Sequence, residues 1–134
     1  MFIDASALCA VLLREPGHEA FEVLIAQTDG SVTSPVAVWE TVRAIVREQA
    51  VEVDAALTYV ERYLTAAEVR ISGIPVQAHR PALEAFERFG KGRHPAALNM
   101  GDCFAYACAR SFEVPLLFKG DDFPQTDIEP ALTR

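Results

Sequence analysis

Four short apolar runs, each followed by residues at helical spacing, constrain this chain more than any other feature. Residues 2–4, 31–34, 69–74 and 114–118 read as strands. Between them the apolar residues recur with the helical period. After Asp4 a helix places Leu8, Val11 and Leu12 on one face, and Pro16-Gly17 breaks it. The next helix aligns Phe21, Leu24 and Ile25, and Thr28-Asp29-Gly30 is a turn signal. Pro35 opens a helix running to about Ala50, as proline does in a first turn. Asp54 is the expected N-cap of a helix carrying Leu57, Val60 and Leu64. Residues 76–89 are helical in pattern, with Leu83, Phe86 and Phe89 aligned and Pro81 kinking or delaying the start. Residues 90–95 form a loop, 101–112 an almost wholly apolar helix, and 126–128 a short edge strand. Strands alternating with helices predict an α/β fold, a parallel sheet covered on both faces, in one domain over 1–134. Ligands of such sheets bind at the carboxyl ends of the strands, which directs attention to Asp4, the region of Glu40, Asp121 and Asp122.

The chain has 134 residues, 51% of them hydrophobic, enough for one core and too few for two domains. Formal net charge is −7. That excludes a protein that coats nucleic acid non-specifically, which needs a basic face. It leaves room for a metal-dependent nuclease, whose site is acidic, and for a basic protein partner. No apolar run approaches the roughly 18–20 residues of a membrane span, and MFIDAS does not read as a secretory signal, so a cytoplasmic protein is expected. Cys9, Cys103 and Cys108 lack metal spacing and lie in apolar stretches, as small buried hydrophobes do in a reducing compartment.

The acids carry the chemistry, and each has a plainer alternative. Asp4 closes an apolar strand and serves either a site or a helix cap; Ser6 as the cap would free it. Glu40 lies opposite the stripe of Val38, Val42, Ile45 and Val46, where it either faces a site or pairs with Arg43 on the surface. Asp102 stands in the first turn of a helix with almost no polar face. Burying a carboxylate there is costly without a cation, an arginine or backbone amides to receive it. Asp121 and Asp122 follow the last long strand and are either solvated turn residues or members of the same rim. Carboxylates from distant positions, converging on one edge, suit a hard divalent cation such as magnesium or manganese. His18, His79 and His94 are scattered and read as surface residues. A haloacid-dehalogenase-type phosphohydrolase needs a second acid where Ser6 stands, and a receiver domain needs an acid after the third strand, which here ends Ser72-Gly73-Ile74-Pro75.

FIDAS at the N-terminus, the glutamate of VWETVRA, LNMGDCFAYACA and LLFKGDDF together resemble the PIN-domain ribonucleases, and among them the VapC-type toxins of bacterial toxin–antitoxin pairs. The resemblance implies a three-layer α/β/α domain and magnesium- or manganese-dependent cleavage of RNA. It implies Asp4, Glu40 and Asp102 as metal-site acids, with Ser6 as the hydroxyl residue that often follows the first aspartate. It also implies a homodimer and a small VapB-type antitoxin that blocks the site, commonly with a basic side chain. The family usually places a fourth acid after the final long strand, two positions after a Thr or Ser. That frame here reads Phe118-Lys119-Gly120 and lacks both, so Asp121 is the expected fourth acid, swung back by Gly120, with Asp122 in support and Phe123 anchoring the loop. Arg43, Arg47, Lys91 and Arg93 are candidate contacts to RNA phosphates. The non-enzymatic alternative is a catalytically degenerate PIN-like domain that only binds protein.

Overall fold

The structure is a computed structural model describing residues 1–133. Four parallel strands, β1 (Phe2–Ile3), β2 (Val32–Thr33), β3 (Arg70–Ile71) and β4 (Leu116–Leu117), lie in the order β3-β2-β1-β4. Each crossover contains two helices. They are α1 (Ala5–Leu12) and α2 (His18–Gln27), then α3 (Pro35–Gln49) and α4 (Val53–Ala66), then α5 (His79–Phe89) and α6 (Met100–Phe112). A parallel sheet requires such long returns, since every strand must start again at the same end.

Neighbouring residues in a strand point to opposite faces, and that sorts the core into two layers. Ile3 and Leu117 pack with Leu8, Ile45 and Val60 on one side. Phe2 and Leu116 pack with Phe89, Leu98 and Tyr106 on the other. Register enforces this, for Phe2 is paired with Val32 and with Leu116, and Ile3 with Leu117. Full burial of such side chains contributes about 1.5–3 kcal/mol each, and Phe2, Ile3, Leu116 and Leu117 are all completely buried.

Local chemistry starts the helices that frame the carboxyl edge of the sheet. Ser34 caps α3, its Oγ accepting the Ala37 N–H at 3.1 Å, with Pro35 in the first position. Asn99 caps α6 in a reciprocal box with Asp102.

Several boundaries differ from the sequence expectation. The third strand shrinks from 69–74 to Arg70–Ile71, an exposed edge: the Val69 N–H turns back to the Leu64 carbonyl, and after the Ser72 N–H, which still reaches the Thr33 carbonyl, the partner strand has ended where Ser34 caps α3. The helix expected to be capped by Asp54 starts one residue before it and takes Glu52 as N-cap, leaving Asp54 in the first turn, where its charge favours the helix dipole. Residues 126–128 form no strand. The Thr126 hydroxyl donates to the Phe123 carbonyl at 2.7 Å and receives the Ile128 N–H at 3.3 Å, which uses the amide a ladder would need. The chain meets β4 later, through a single bridge between Leu116 and Pro130. In α5, begun at His79 rather than 76, the buried face is Ala82, Ala85 and Phe89, while Leu83 is 62% and Phe86 42% exposed. Alanines allow α5 to lie close against α6, which the larger side chains would prevent.

Candidate active site

Asp4 follows β1 directly and is 3% exposed. Its Oδ2 accepts the Ser6 N–H at 2.9 Å and the Ser6 hydroxyl at 2.5 Å, so Asp4 itself is the cap of α1 and the alternative with Ser6 as cap is not realised. The Ser6 Oγ in turn accepts the backbone N–H of Lys119 at 3.0 Å. One hydroxyl therefore ties the loop after β4 to the aspartate after β1. The Lys119 ammonium reaches Glu15 at 2.6 Å and holds that loop from its other side. Burial pushes the Asp4 carboxyl up from the usual aspartate range, against the pull of the Ser6 hydrogen bonds.

Asp102 occupies the third position of α6. One of its oxygens accepts the Asn99 N–H at 2.9 Å, and the Asn99 side chain accepts the Asp102 N–H at 2.9 Å. A backbone amide is thus one of its partners, as one of the plainer alternatives required. That hydrogen bond does not offset the surroundings. Burial first, then the charges of Asp4 and Asp122, push Asp102 up to about 6.

Glu40 lies in the second turn of α3, on the opposite side of the sheet from α6. Its carboxylate nevertheless rests against Gly101, where a Cβ would collide with both carboxylate oxygens. The bare glycine lets the two helices bring Glu40 and Asp102 to one rim. Burial, then the charges of Asp4 and Asp102, raise Glu40 to about 7, and Arg43 acts in the opposite sense. Glu40 and Asp102, distant from Asp4 in the sequence, thus both feel its charge at the carboxyl end of the parallel strands, where such sheets bind ligands.

In the final loop, Gly120 has φ +113°, a turn conformation that favours glycine. Phe123 is buried and anchors the loop against Phe118, with ring centroids 5.1 Å apart. Asp122 is an acid whose charge reaches Asp102, whereas the Asp121 carbonyl accepts the Gln125 side-chain N–H at 3.0 Å. Of the basic candidates, Arg43 acts on Glu40. Arg47 turns to Glu48 at 2.9 Å, and Arg93 lies over the Phe86 ring, 5.0 Å from its centroid. The histidines have local partners: His18 meets Glu22, and His94 packs edge-on to Phe89. Burial pushes the thiols of Cys9, Cys103 and Cys108 up to about 11, away from nucleophilic use near neutral pH.

The donor set fits a hard divalent cation. It is made of oxygens only, and the charge of Asp4 raises both Glu40 and Asp102, as one carboxylate does to its neighbours. Among the described residues, no three ligating groups already stand close enough to hold one ion, so a cation would have to draw the acids inward. Sequence reasoning missed Gly101 and the Lys119 amide. Glycine in the first turn of an otherwise apolar helix is a poor helix former, and that was the available signal for a close approach.

The PIN domain family model matches residues 1–129. A VapC ribonuclease of Rhizobium meliloti is 36% identical over 141 residues, covering 95% of this chain and 98% of the relative. A ribonuclease VapC of Mycolicibacterium smegmatis is 39% identical over 128 residues, covering 96% and 97%. The crystal structure of VapC20 from Mycobacterium tuberculosis, a sarcin-ricin loop cleaving toxin, superposes with TM-score 0.70 over 96% of this chain and 98% of that one, at 18% identity. That likeness concerns the fold. With a family model over nearly the whole chain and relatives matched end to end, the chain belongs to the PIN-domain family, in its VapC ribonuclease branch.

Proposed function

We propose that this protein is a ribonuclease toxin that hydrolyses RNA phosphodiester bonds with magnesium or manganese. The observation that carries the reading is the group of Asp4, Glu40 and Asp102 at the carboxyl edge of the sheet, each with its pKa raised by burial and two of them also by their neighbours' charge. These three residues would hold the metal, with Asp122 or Asp121 as the outer acid. Held there, a divalent ion would supply positive charge for the scissile phosphate and for activating the attacking water. Ser6 fixes the Asp4 carboxylate through two hydrogen bonds, and the capping box fixes Asp102. Gly101 sets how closely Glu40 approaches, and Arg43 supplies positive charge beside it.

The test is cleavage of structured RNAs by the isolated protein, with the cut ends mapped. Cleavage is expected with magnesium and absent in EDTA, and Asp102→Asn is expected to be inactive although its amide oxygen can still accept the Asn99 N–H. Undiminished cleavage in chelator, or by Asp102→Asn, refutes the mechanism.

The reading includes a VapB-type antitoxin and a homodimer. Leu83, Phe86 and Met100, the last 71% exposed, give α5 and the start of α6 an apolar surface next to the acidic rim. A segment with apolar anchors followed by a basic side chain suits that pairing. Sedimentation of the toxin alone reads the dimer, with a monomer at micromolar concentration as the contrary result.

A further inference from the structure

The outer strip of α3 has a feature that the acids do not use. Trp39 directly precedes Glu40 and is 60% exposed, while Ala37, Val38, Thr41 and Val42 face the core. The largest apolar side chain of this helix is therefore turned to water. The ring is held: the Arg43 guanidinium lies over it, 5.0 Å from the centroid. The same Arg43 places its charge beside Glu40, where it partly opposes the upward shift caused by burial and the neighbouring acids, so one guanidinium links the indole to the acidic site. A cation–π pair by itself accounts for the arginine's position, but not for an exposed indole beside a polar site.

We propose that Trp39 and Arg43 form a stacking platform for an unpaired nucleobase next to the scissile phosphate, with Arg43 meeting the backbone charge. Aromatic rings and arginine planes receive splayed bases of single-stranded RNA, and paired bases within a helix are not available to them. The proposal rests on the ribonuclease reading. Its occupant is single-stranded RNA rather than a basic antitoxin, because Arg43 disfavours a cation and favours a polyanion. The platform therefore selects loops and single strands.

Trp39 is the one tryptophan of the chain, so its emission reports this position alone. The full-length protein in EDTA is titrated with a short labelled oligoribonucleotide, single-stranded or annealed to its complement, and gels confirm that the RNA is intact. The single strand is expected to quench the emission with saturation and to bind more tightly than the duplex. By anisotropy, Trp39→Ala should weaken single-strand binding about tenfold, on the scale of one lost base stack. Trp39→Phe should retain most of it. With magnesium, Trp39→Ala should raise KM for cleavage more than it lowers kcat. Emission that ignores bound RNA, equal quenching by duplex, or wild-type affinity in Trp39→Ala overturns the platform. So does a blue shift that grows with protein concentration in the absence of RNA, which would mean that protein covers the indole. Wild-type protein that binds and quenches but never cleaves removes the ribonuclease reading instead. Cleavage by Trp39→Ala with unchanged KM removes only the platform.

Discussion

At the scale of single residues, Gly101 separates stability from activity. Alanine there would place a Cβ onto the Glu40 carboxylate, which is the mobile end of a long side chain and can move aside at small cost. Alanine is also the better helix former by roughly 0.8–1.0 kcal/mol in a helix interior, and by less in a first turn. Gly101→Ala is therefore expected to melt at the wild-type temperature or slightly above, and to lose at least tenfold in kcat because Glu40 is displaced from the rim. Thermal melts and single-turnover cleavage of the same preparation check both halves. Lost stability with retained activity would mean that the glycine serves packing only.

At the scale of elements, Ser6 joins α1 to the loop after β4. Its hydroxyl donates to Asp4 and accepts the Lys119 N–H. Ser6→Ala leaves that amide without its partner and Asp4 with one hydrogen bond fewer from Ser6. A buried polar group without a partner costs about 1–3 kcal/mol. The loop is only partly buried, so a loss of about 1–2 kcal/mol is expected, together with faster amide exchange over residues 118–122 and weaker activity. Exchange measured by mass spectrometry localises the effect. Uniform protection across that loop would show that Lys119–Glu15 and Phe123 hold it without Ser6.

At the scale of the whole molecule, the clustered acids give a pH dependence with a definite sign. Glu40 and Asp102 sit at about 7 and 6, above the ordinary 4.5 and 3.8, and Asp4 shifts in the same direction. The folded state holds protons that the unfolded chain has released, so stability falls as pH rises across that interval. This contribution is complete below about pH 4 and is lost as pH passes about 7. Asp127, lowered by Tyr106 and Arg88 against its own desolvation, acts in the opposite sense at more acidic pH. In EDTA the melting temperature is expected to be lower at pH 8 than at pH 5, and magnesium should restore it at pH 8 by binding the charged acids. A flat or rising metal-free profile contradicts the cluster. If the proposed VapB-type antitoxin engages this negative rim, its binding is electrostatic, so its affinity is expected to weaken as salt is raised from 50 to about 500 mM. Equal affinity across that range leaves only the apolar surface of α5 and α6 to explain binding.

Local periodicity and local cost made much of this protein legible in its sequence. The alternation of strands and helices showed in residues a few positions apart, which is why the parallel sheet and two-sided core followed from it. Asp4 stood out as an acid ending a buried strand, and Asp102 as an acid in an apolar helix. Tertiary structure decided the rest. Helix α5 carries both an alanine face and a Leu83–Phe86 face, and only packing against α6 selected the smaller side chains. Glu40 looks like a surface glutamate until α3 meets α6 at Gly101. Ser6 and Lys119 are 113 positions apart, and their hydrogen bond exists because β1 and β4 are neighbours in the sheet. Periodicity records which side of an element is apolar. Which polar groups then meet across the edge of the sheet depends on distances between elements, and no local pattern contains those.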